Sequence, residues 1–264
     1  MSKKGNRDRQ QQAREKIARI RAEEARRRRR RLLLAGTGAI VLIIAAVVGI
    51  TLVFTAGSPK AAQPGGVTTP KLQLAPLTTL GTLKPAPTPG PLGPEGVPVP
   101  AAPALAGTAT AATGQPVDGI SCQTSEQTLF HIHAHLTIFV NGSARQVPAA
   151  IGLPGAQATA TPQGPFIETG TCFYWLHTHA ADGIIHIESP VQRIYTLGNF
   201  FDIWGQPLGT DRVGPATGHV TALYNGQVYL GNPRDIPLIA HAQIRLMVGT
   251  PLIAPEQITW PSGL

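Results

Sequence analysis

Apolar residues follow two different patterns along this chain. Residues 32–55 form one unbroken apolar run of 24 residues without a charge, whereas beyond residue 118 short apolar and polar stretches alternate. A helix over the long run would span about 36 Å, which exceeds the bilayer core of about 30 Å. The alternating stretches predict β-strands. We therefore expect one transmembrane helix, 32–55, and a separate β-rich domain.

The distribution of charge gives the predicted helix an orientation. Residues 1–31 carry fourteen Lys or Arg against four Asp or Glu, with six consecutive arginines at 26–31. The positive-inside rule places this basic tail in the cytoplasm and the remainder of the chain outside. A cleaved signal peptide is the alternative to an anchor, and it is disfavoured because the apolar run is longer than a signal sequence requires.

The basic tail, 1–31, is expected to contact anionic membrane lipid. Nucleic-acid binding is the alternative, since runs of arginine also bind phosphate. The tail directly precedes the predicted span and has no interleaved aromatic residues, which favours lipid and predicts no nucleic-acid partner.

Residues 56–117 contain thirteen of the chain's twenty-five prolines and no aromatic residue. Proline fixes φ and removes a backbone donor, so neither a helix nor a central strand is expected here. We predict a disordered or polyproline-II linker that holds the domain away from the membrane. A cell-wall or envelope protein is a candidate partner for the stalk or the domain it carries.

Residues 118–264 hold thirteen of the fourteen aromatic residues, and five arginines against nine Asp or Glu give them a net charge of −4. Only this stretch is expected to build a core. Asn-Gly or Asp-Gly pairs between apolar runs predict three β-hairpins with turns at 141–142, 182–183 and 225–226. A last strand is expected at 240–248, and Thr196 and Gly205 bound a short helix at 196–204. The predicted fold is an all-β barrel or sandwich of hairpins with one short helix.

The two cysteines, Cys122 and Cys172, both fall in the part predicted to lie outside the cytoplasm. An even number of cysteines in an oxidising compartment predicts a disulfide. Metal binding by both thiolates is the alternative, and it is disfavoured because they are not arranged as C-x-x-C.

All eight histidines lie in the predicted domain, six of them within 56 residues. His131, His133 and His135 alternate along one strand and therefore share one of its faces. In the second hairpin, a two-residue loop at 182–183 would pair His179 with His186 and His177 with Glu188. Cross-strand imidazoles lie close enough together to share a metal ion.

These positions predict a metal site built from His177, His179 and His186. We expect one or two histidines of the 131–135 strand to join it or to form a second site, and Glu188 to act as a ligand or to orient His177. The candidate ligands are thus His131, His133, His135, His177, His179, His186 and Glu188. A solvated strand face and a pH-responsive cluster are the alternatives.

Two histidines spaced H-x-H with a third on a neighbouring strand resemble the zinc triad of α-type carbonic anhydrases and, less closely, the His/Glu set of cupins. The resemblance covers ligand spacing alone. The cupin pattern places its Glu soon after the H-x-H pair, whereas Glu188 follows His179 by nine residues.

The donor types favour particular metals and leave three functions open. Nitrogen and carboxylate ligands favour Zn(II) or Cu(II), with Fe(II) and Mn(II) as further options. The first hypothesis is a membrane-anchored, extracytoplasmic metal-binding protein. The second is an envelope enzyme in which a metal-bound water reacts and Glu188 is the base. The third is a metal-free envelope module in which the histidines sense pH.

Overall fold

The structure, a computed structural model, describes residues 71–264. The predicted basic tail (1–31) and transmembrane helix (32–55) lie outside the described residues. Within 71–264, no helix combines the length and the hydrophobicity needed to cross a membrane. The compact unit Pro64–Leu264 contains all the residues that the structure describes.

Short strands dominate the described part of the chain, together with one α-helix and two 3-10 turns. The helix α1 is Leu197–Trp204, and the 3-10 turns are Leu77–Leu80 and Pro233–Asp235. The strands are β1 (Leu74–Ala75), β2 (Cys122–Gln123), β3 (Phe130–Val140), β4 (Ser143–Arg145), β5 (Gln157–Thr161), β6 (Gly164–Thr169), β7 (Phe173–Tyr174), β8 (Leu176–His177), β9 (Ile184–Ser189), β10 (Tyr195–Thr196), β11 (Arg212–Val213), β12 (Ala216–Thr217), β13 (Val220–Tyr224), β14 (Gln227–Tyr229), β15 (Pro237–Leu238) and β16 (Ala242–Val248).

Eight of these strands form the main sheet, in the order β1-β14-β13-β16-β3-β9-β8, with β4 also paired to β3. β16 and β3 run parallel, and β9 lies antiparallel on the other side of β3. The prediction of a mostly β domain with one short helix is confirmed. The strands form one open main sheet with four two-stranded sheets, and not a closed barrel.

The long central strand β3 separates the hydrophobic core from the histidines. Its residues Ala134, Leu136 and Ile138 are buried in the main core, which also contains the aromatic side chains of α1. Side chains alternate between the faces of a strand, so His131, His133 and His135 lie on the opposite face. This alternation places the three histidines on one face of β3, as the sequence predicts.

Local signals placed two hairpins, the helix and the disulfide correctly. Positive φ at both residues of the 141–142 and 225–226 turns matches the two-residue type I′ loop, which Asn-Gly favours. The Thr196 side chain accepts a hydrogen bond from the Asn199 backbone N–H at the start of α1, and Gly205 ends the helix in the left-handed conformation. Cys122 and Cys172 form a disulfide.

The predicted two-residue loop at 182–183 is wrong. Residues 178–183 all belong to the connection, and β8 pairs with β9 so that His177 lies opposite His186 rather than Glu188. The reason is tertiary, because the Thr178 backbone N–H donates to the Ile151 carbonyl (3.1 Å) and its hydroxyl donates to the Pro148 carbonyl (2.8 Å). His179 therefore lies in this connection, and its backbone does not pair with β9.

The Pro-rich stretch 71–117, expected to be part of a disordered linker, packs against the rest of the unit instead. Several N–H groups of this stretch donate to carbonyls, and some of these bonds leave the stretch: Lys84 donates to Leu252 (2.9 Å), and Leu105 donates to Gln146 (2.9 Å). Val97 is fully buried. Proline excludes regular ladders but leaves such single bridges available. Residues 56–70 of the predicted linker lie outside the described residues.

Candidate metal centre

Three imidazoles line up across three neighbouring strands of the main sheet. His133 on β3 lies opposite His186 on β9, and His186 lies opposite His177 on β8. In the adjacent row, His131 of β3 lies opposite Glu188 of β9. The strand β9 lies between β3 and β8, and both of these neighbouring strands carry histidines. This arrangement creates two groups of ligand atoms that overlap at His186 and Glu188.

Site 1 consists of His131, His133, His186 and Glu188. The Nε2 atoms of His131 and His133 are 3.0 Å apart, and Nε2 of His133 is 3.2 Å from Nδ1 of His186. The Glu188 Oε1 atom lies 3.1 Å from Nε2 of His131 and 3.4 Å from Nδ1 of His186. Ligands at 2.0–2.2 Å in a tetrahedron around zinc are about 3.3 Å from one another. Four ligand–ligand distances of site 1 thus match a tetrahedral ion.

Site 2 consists of His177, His179, His186 and Glu188, whose ligand atoms also lie within 4.8 Å of one another. Nδ1 of His177 donates to the Tyr174 carbonyl (2.8 Å), and Nδ1 of His179 donates to the Ile167 carbonyl (2.5 Å). A carbonyl can only accept, so each neutral ring carries a lone pair on Nε2. A hydrogen bond of this type is the usual device that fixes the tautomer of a metal-binding histidine.

The two Nε2 atoms of His177 and His179 face each other at a distance of 3.1 Å. Burial lowers the pKa of both imidazoles, and the positive charge of His186 lowers it further, so both rings are neutral. Two lone pairs at this distance repel each other unless a cation lies between them. The geometry of site 2 is therefore that of a pair of metal ligands.

Glu95 reaches the cluster from the Pro-rich segment. Pro94 and Glu95 form the centre of a tight turn in which the Gly96 N–H donates to the Gly93 carbonyl (3.0 Å). Gly96 has φ of +79°, which only glycine adopts without strain. The turn aims the Glu95 carboxylate at His186, with 2.6 Å between Oε1 and Nε2. A carboxylate on the outer nitrogen of a histidine orients its other nitrogen toward a metal.

Buried carboxylates surround the imidazoles. Glu95, Glu188 and Asp182 are buried, and each has one carboxylate oxygen without a hydrogen-bond partner. Burial alone lowers the pKa of His186, but the hydrogen bonds and negative charges of Glu188 and Glu95 outweigh it and raise the pKa to about 9. Without a metal, His186 is thus a buried imidazolium between two carboxylates.

Comparison of the chain with protein-family models, with curated proteins and with solved structures finds no significant match.

The structure gathers six of the seven sequence-predicted ligands and leaves His135 apart. Nε2 of His135 donates to the Asp182 carbonyl (2.9 Å), and burial lowers the pKa of this ring to about 4. His135 is therefore a neutral, hydrogen-bonded residue outside both sites. His219 and His241 are exposed and lie outside both sites as well.

Sequence reasoning missed two carboxylates that contact the cluster. Glu95 is the one acidic residue of 56–117, which is the signal that could have singled it out. Glu126 lies in the loop before β3, and its Oε1 atom is 3.5 Å from Nε2 of His179. About a third of the Glu126 side chain is exposed, and so is a similar share of His131. These two side chains mark the solvent-facing edge of the cluster.

Proposed function

We propose that this chain is a membrane-anchored, extracytoplasmic metal-binding protein that holds a divalent transition-metal ion in its histidine cluster. The opposed Nε2 lone pairs of His177 and His179 carry the proposal. Backbone carbonyls hold both rings in the tautomer that a metal requires, and the two lone pairs converge on one point. Glu188 supplies a carboxylate ligand to the same ion.

The donor atoms favour Zn(II) or Cu(II). Both cysteines are consumed in the disulfide, and the Met247 sulfur accepts the Ile253 backbone N–H on another part of the sheet. Soft sulfur ligands, which would select Cu(I), are thus not part of either site. Imidazole nitrogen with carboxylate oxygen is a donor set that suits borderline divalent ions.

The extracytoplasmic location rests on two supporting features. The Cys122–Cys172 disulfide is typical of an oxidising compartment. The charge-free run 32–55 with the basic tail before it predicts an anchor whose C-terminal side is outside the cell.

Binding is favoured over catalysis by the position of Glu188. The enzyme hypothesis needs this carboxylate as a free base near a metal-bound water. Glu188 belongs to both ligand groups, and its Oε1 atom contacts His131 and His186. A carboxylate that coordinates the ion is not available as the base, so we assign Glu188 as a ligand.

A zinc titration against a chromophoric chelator tests this function on the full chain, purified in detergent without a histidine tag. We expect saturable binding by the wild type. The double variant His177→Ala/His179→Ala should lose the zinc that these two rings hold, with a loss of more than about 100-fold in affinity at that site, the upper limit for losing an outer-shell partner alone. The exposed residue His219 provides the matched control, and His219→Ala should bind zinc like the wild type.

Equal zinc affinity together with equal zinc stoichiometry in the wild type and in a folded His177→Ala/His179→Ala variant would contradict the assignment. Far-ultraviolet circular dichroism of each variant, recorded with the metal removed, shows whether the fold is retained.

A further inference from the structure

Site 1 is a complete ligand set without His177 and His179. Its three nitrogens and one oxygen have neighbour distances of 3.0, 3.1, 3.2 and 3.4 Å, close to the edges of one tetrahedron. The Nε2 pair of site 2 converges on a different point, between β8 and the 178–183 connection. His131 and His133 extend from β3 on one side of β9, and His177 extends from β8 on the other, so we assign the two pairs to separate binding points.

His186 belongs to site 1 when both sites are considered together. Its Nε2 atom is bonded to Glu95, which leaves Nδ1 as the nitrogen free for an ion. That atom lies next to His133 and Glu188 Oε1. Site 2 then retains two imidazoles and needs oxygen ligands.

Glu188 can supply oxygen to both sites at once. Its Oε1 atom contacts His131 and His186 in site 1, while its Oε2 atom is buried and has no hydrogen-bond partner. The carboxylate also lies within 4.8 Å of the site 2 nitrogens. Glu126, 3.5 Å from Nε2 of His179, provides site 2 with a further oxygen at its solvent edge.

Bound metal ions would also compensate the negative charge around the cluster. Glu95, Glu188 and Asp182 are buried acids, and Glu126 is a fourth carboxylate at the edge. Within residues 71–264 the one ion pair that involves Lys or Arg joins Arg234 to Asp202, away from the cluster. Buried charges need compensation. The positive partners available to these carboxylates are therefore the imidazoles of the cluster and bound metal ions.

We propose that the cluster is a two-metal centre, with one divalent ion in site 1 and one in site 2, bridged by the Glu188 carboxylate. The inference rests on the proposed function, since it divides the same histidine cluster between two ions. Two-metal sites in proteins hold their ions about 3.5–4 Å apart, a separation that a single carboxylate can bridge.

Copper(II) loading of the full chain tests the inference by stoichiometry and by magnetic coupling. After removal of unbound metal, we expect two Cu(II) per wild-type chain and one per chain in each double variant, His131→Ala/His133→Ala and His177→Ala/His179→Ala. Electron paramagnetic resonance should show a coupled pair in the wild type and an isolated Cu(II) in each variant. His219→Ala, which lies outside the cluster, should behave like the wild type.

The possible failures are distinguishable from one another. One Cu(II) per wild-type chain would overturn the two-metal centre and leave the proposed function standing. Two Cu(II) that give only isolated signals would overturn the bridge by Glu188. A wild-type chain that retains no copper and no zinc would overturn the proposed function itself. Stoichiometry and coupling of the wild type decide the matter even if a double variant does not fold.

Discussion

A fragment of residues 118–264 will not unfold cooperatively, whereas a fragment of residues 64–264 will. The longer fragment matches the compact unit Pro64–Leu264, and the shorter one lacks the Pro-rich segment. In that segment Val97, Leu105 and Ala112 are buried, and Leu105 and Ala112 belong to the main hydrophobic core. A fully buried Val or Leu side chain contributes about 1.5–3 kcal/mol, and whole domains are stable by only about 5–15 kcal/mol.

The hydrogen bonds made by the Pro-rich segment add to the stability that the shorter fragment loses. The Gly107 carbonyl accepts the indole N–H of buried Trp204 (2.9 Å), and the Gly114 N–H donates to the hydroxyl of Tyr174 (2.9 Å). Without residues 71–117, these large side chains become exposed and lose their partners. Each buried polar group left unpaired costs about 1–3 kcal/mol in addition to the lost burial.

Urea unfolding followed by tryptophan fluorescence measures this prediction, with the disulfide intact in both fragments. A steep transition is expected for residues 64–264, and a broad one or none for residues 118–264. If both fragments unfold with the same midpoint and slope, the Pro-rich segment is a spacer after all, and the packing described for it is wrong.

His186→Ala will destabilise the metal-free protein by about 3–5 kcal/mol, the usual effect of removing one partner of a buried ion pair. The ring lies between Glu95 and Glu188, and all three side chains are at least nine-tenths buried. Without the imidazolium, Glu95 would lose its charged partner and Glu188 would lose one of its two imidazole contacts. Urea unfolding in the presence of a chelator measures the change in the free energy of unfolding.

A double-mutant cycle with Glu95→Gln separates this ion pair from simple loss of packing. Since glutamine carries no charge, His186→Ala should be less destabilising in the Glu95→Gln background, by about 0.5–3 kcal/mol. Strictly additive effects would mean that Glu95 and His186 do not interact.

Local chemistry in the sequence predicted the elements of the fold but not their long-range partners. Asn141-Gly142 fixes its hairpin through the positive φ that the turn requires, and Thr196 starts α1 through its hydroxyl. The pairing of β3 with β9 joins residues that are 49 to 59 positions apart, and no local signal encodes it. The sequence therefore predicted the alternation of histidines on β3 and their approach to the second cluster, but not the register that places them opposite His186 and Glu188.

Two incorrect predictions, the 182–183 turn and the disordered linker, have the same physical origin. Asp182-Gly183 resembles a two-residue hairpin turn, yet tertiary hydrogen bonds from Thr178 lengthen the connection and shift the register. The Pro-rich segment resembles a disordered linker, yet its Lys84, Leu105 and Ala112 N–H groups donate to carbonyls of Leu252, Gln146 and Ile203, which are distant in sequence. In both cases, contacts that are distant in sequence decide the conformation. The histidine cluster was recognisable because its side chains are rare and repeated, whereas Glu95 is a single carboxylate among prolines.

The metal content of the full chain tests the central claim most directly. The protein would be purified from membranes without a histidine tag or added metal, and bound metals would be measured by mass spectrometry. We expect at least about one equivalent of zinc or copper per chain, retained through gel filtration. His177→Ala/His179→Ala should reduce this content, and His219→Ala should not. A wild-type chain whose metal content equals that of the buffer, with neither ion bound on later addition, would contradict the claim that this cluster is a metal centre.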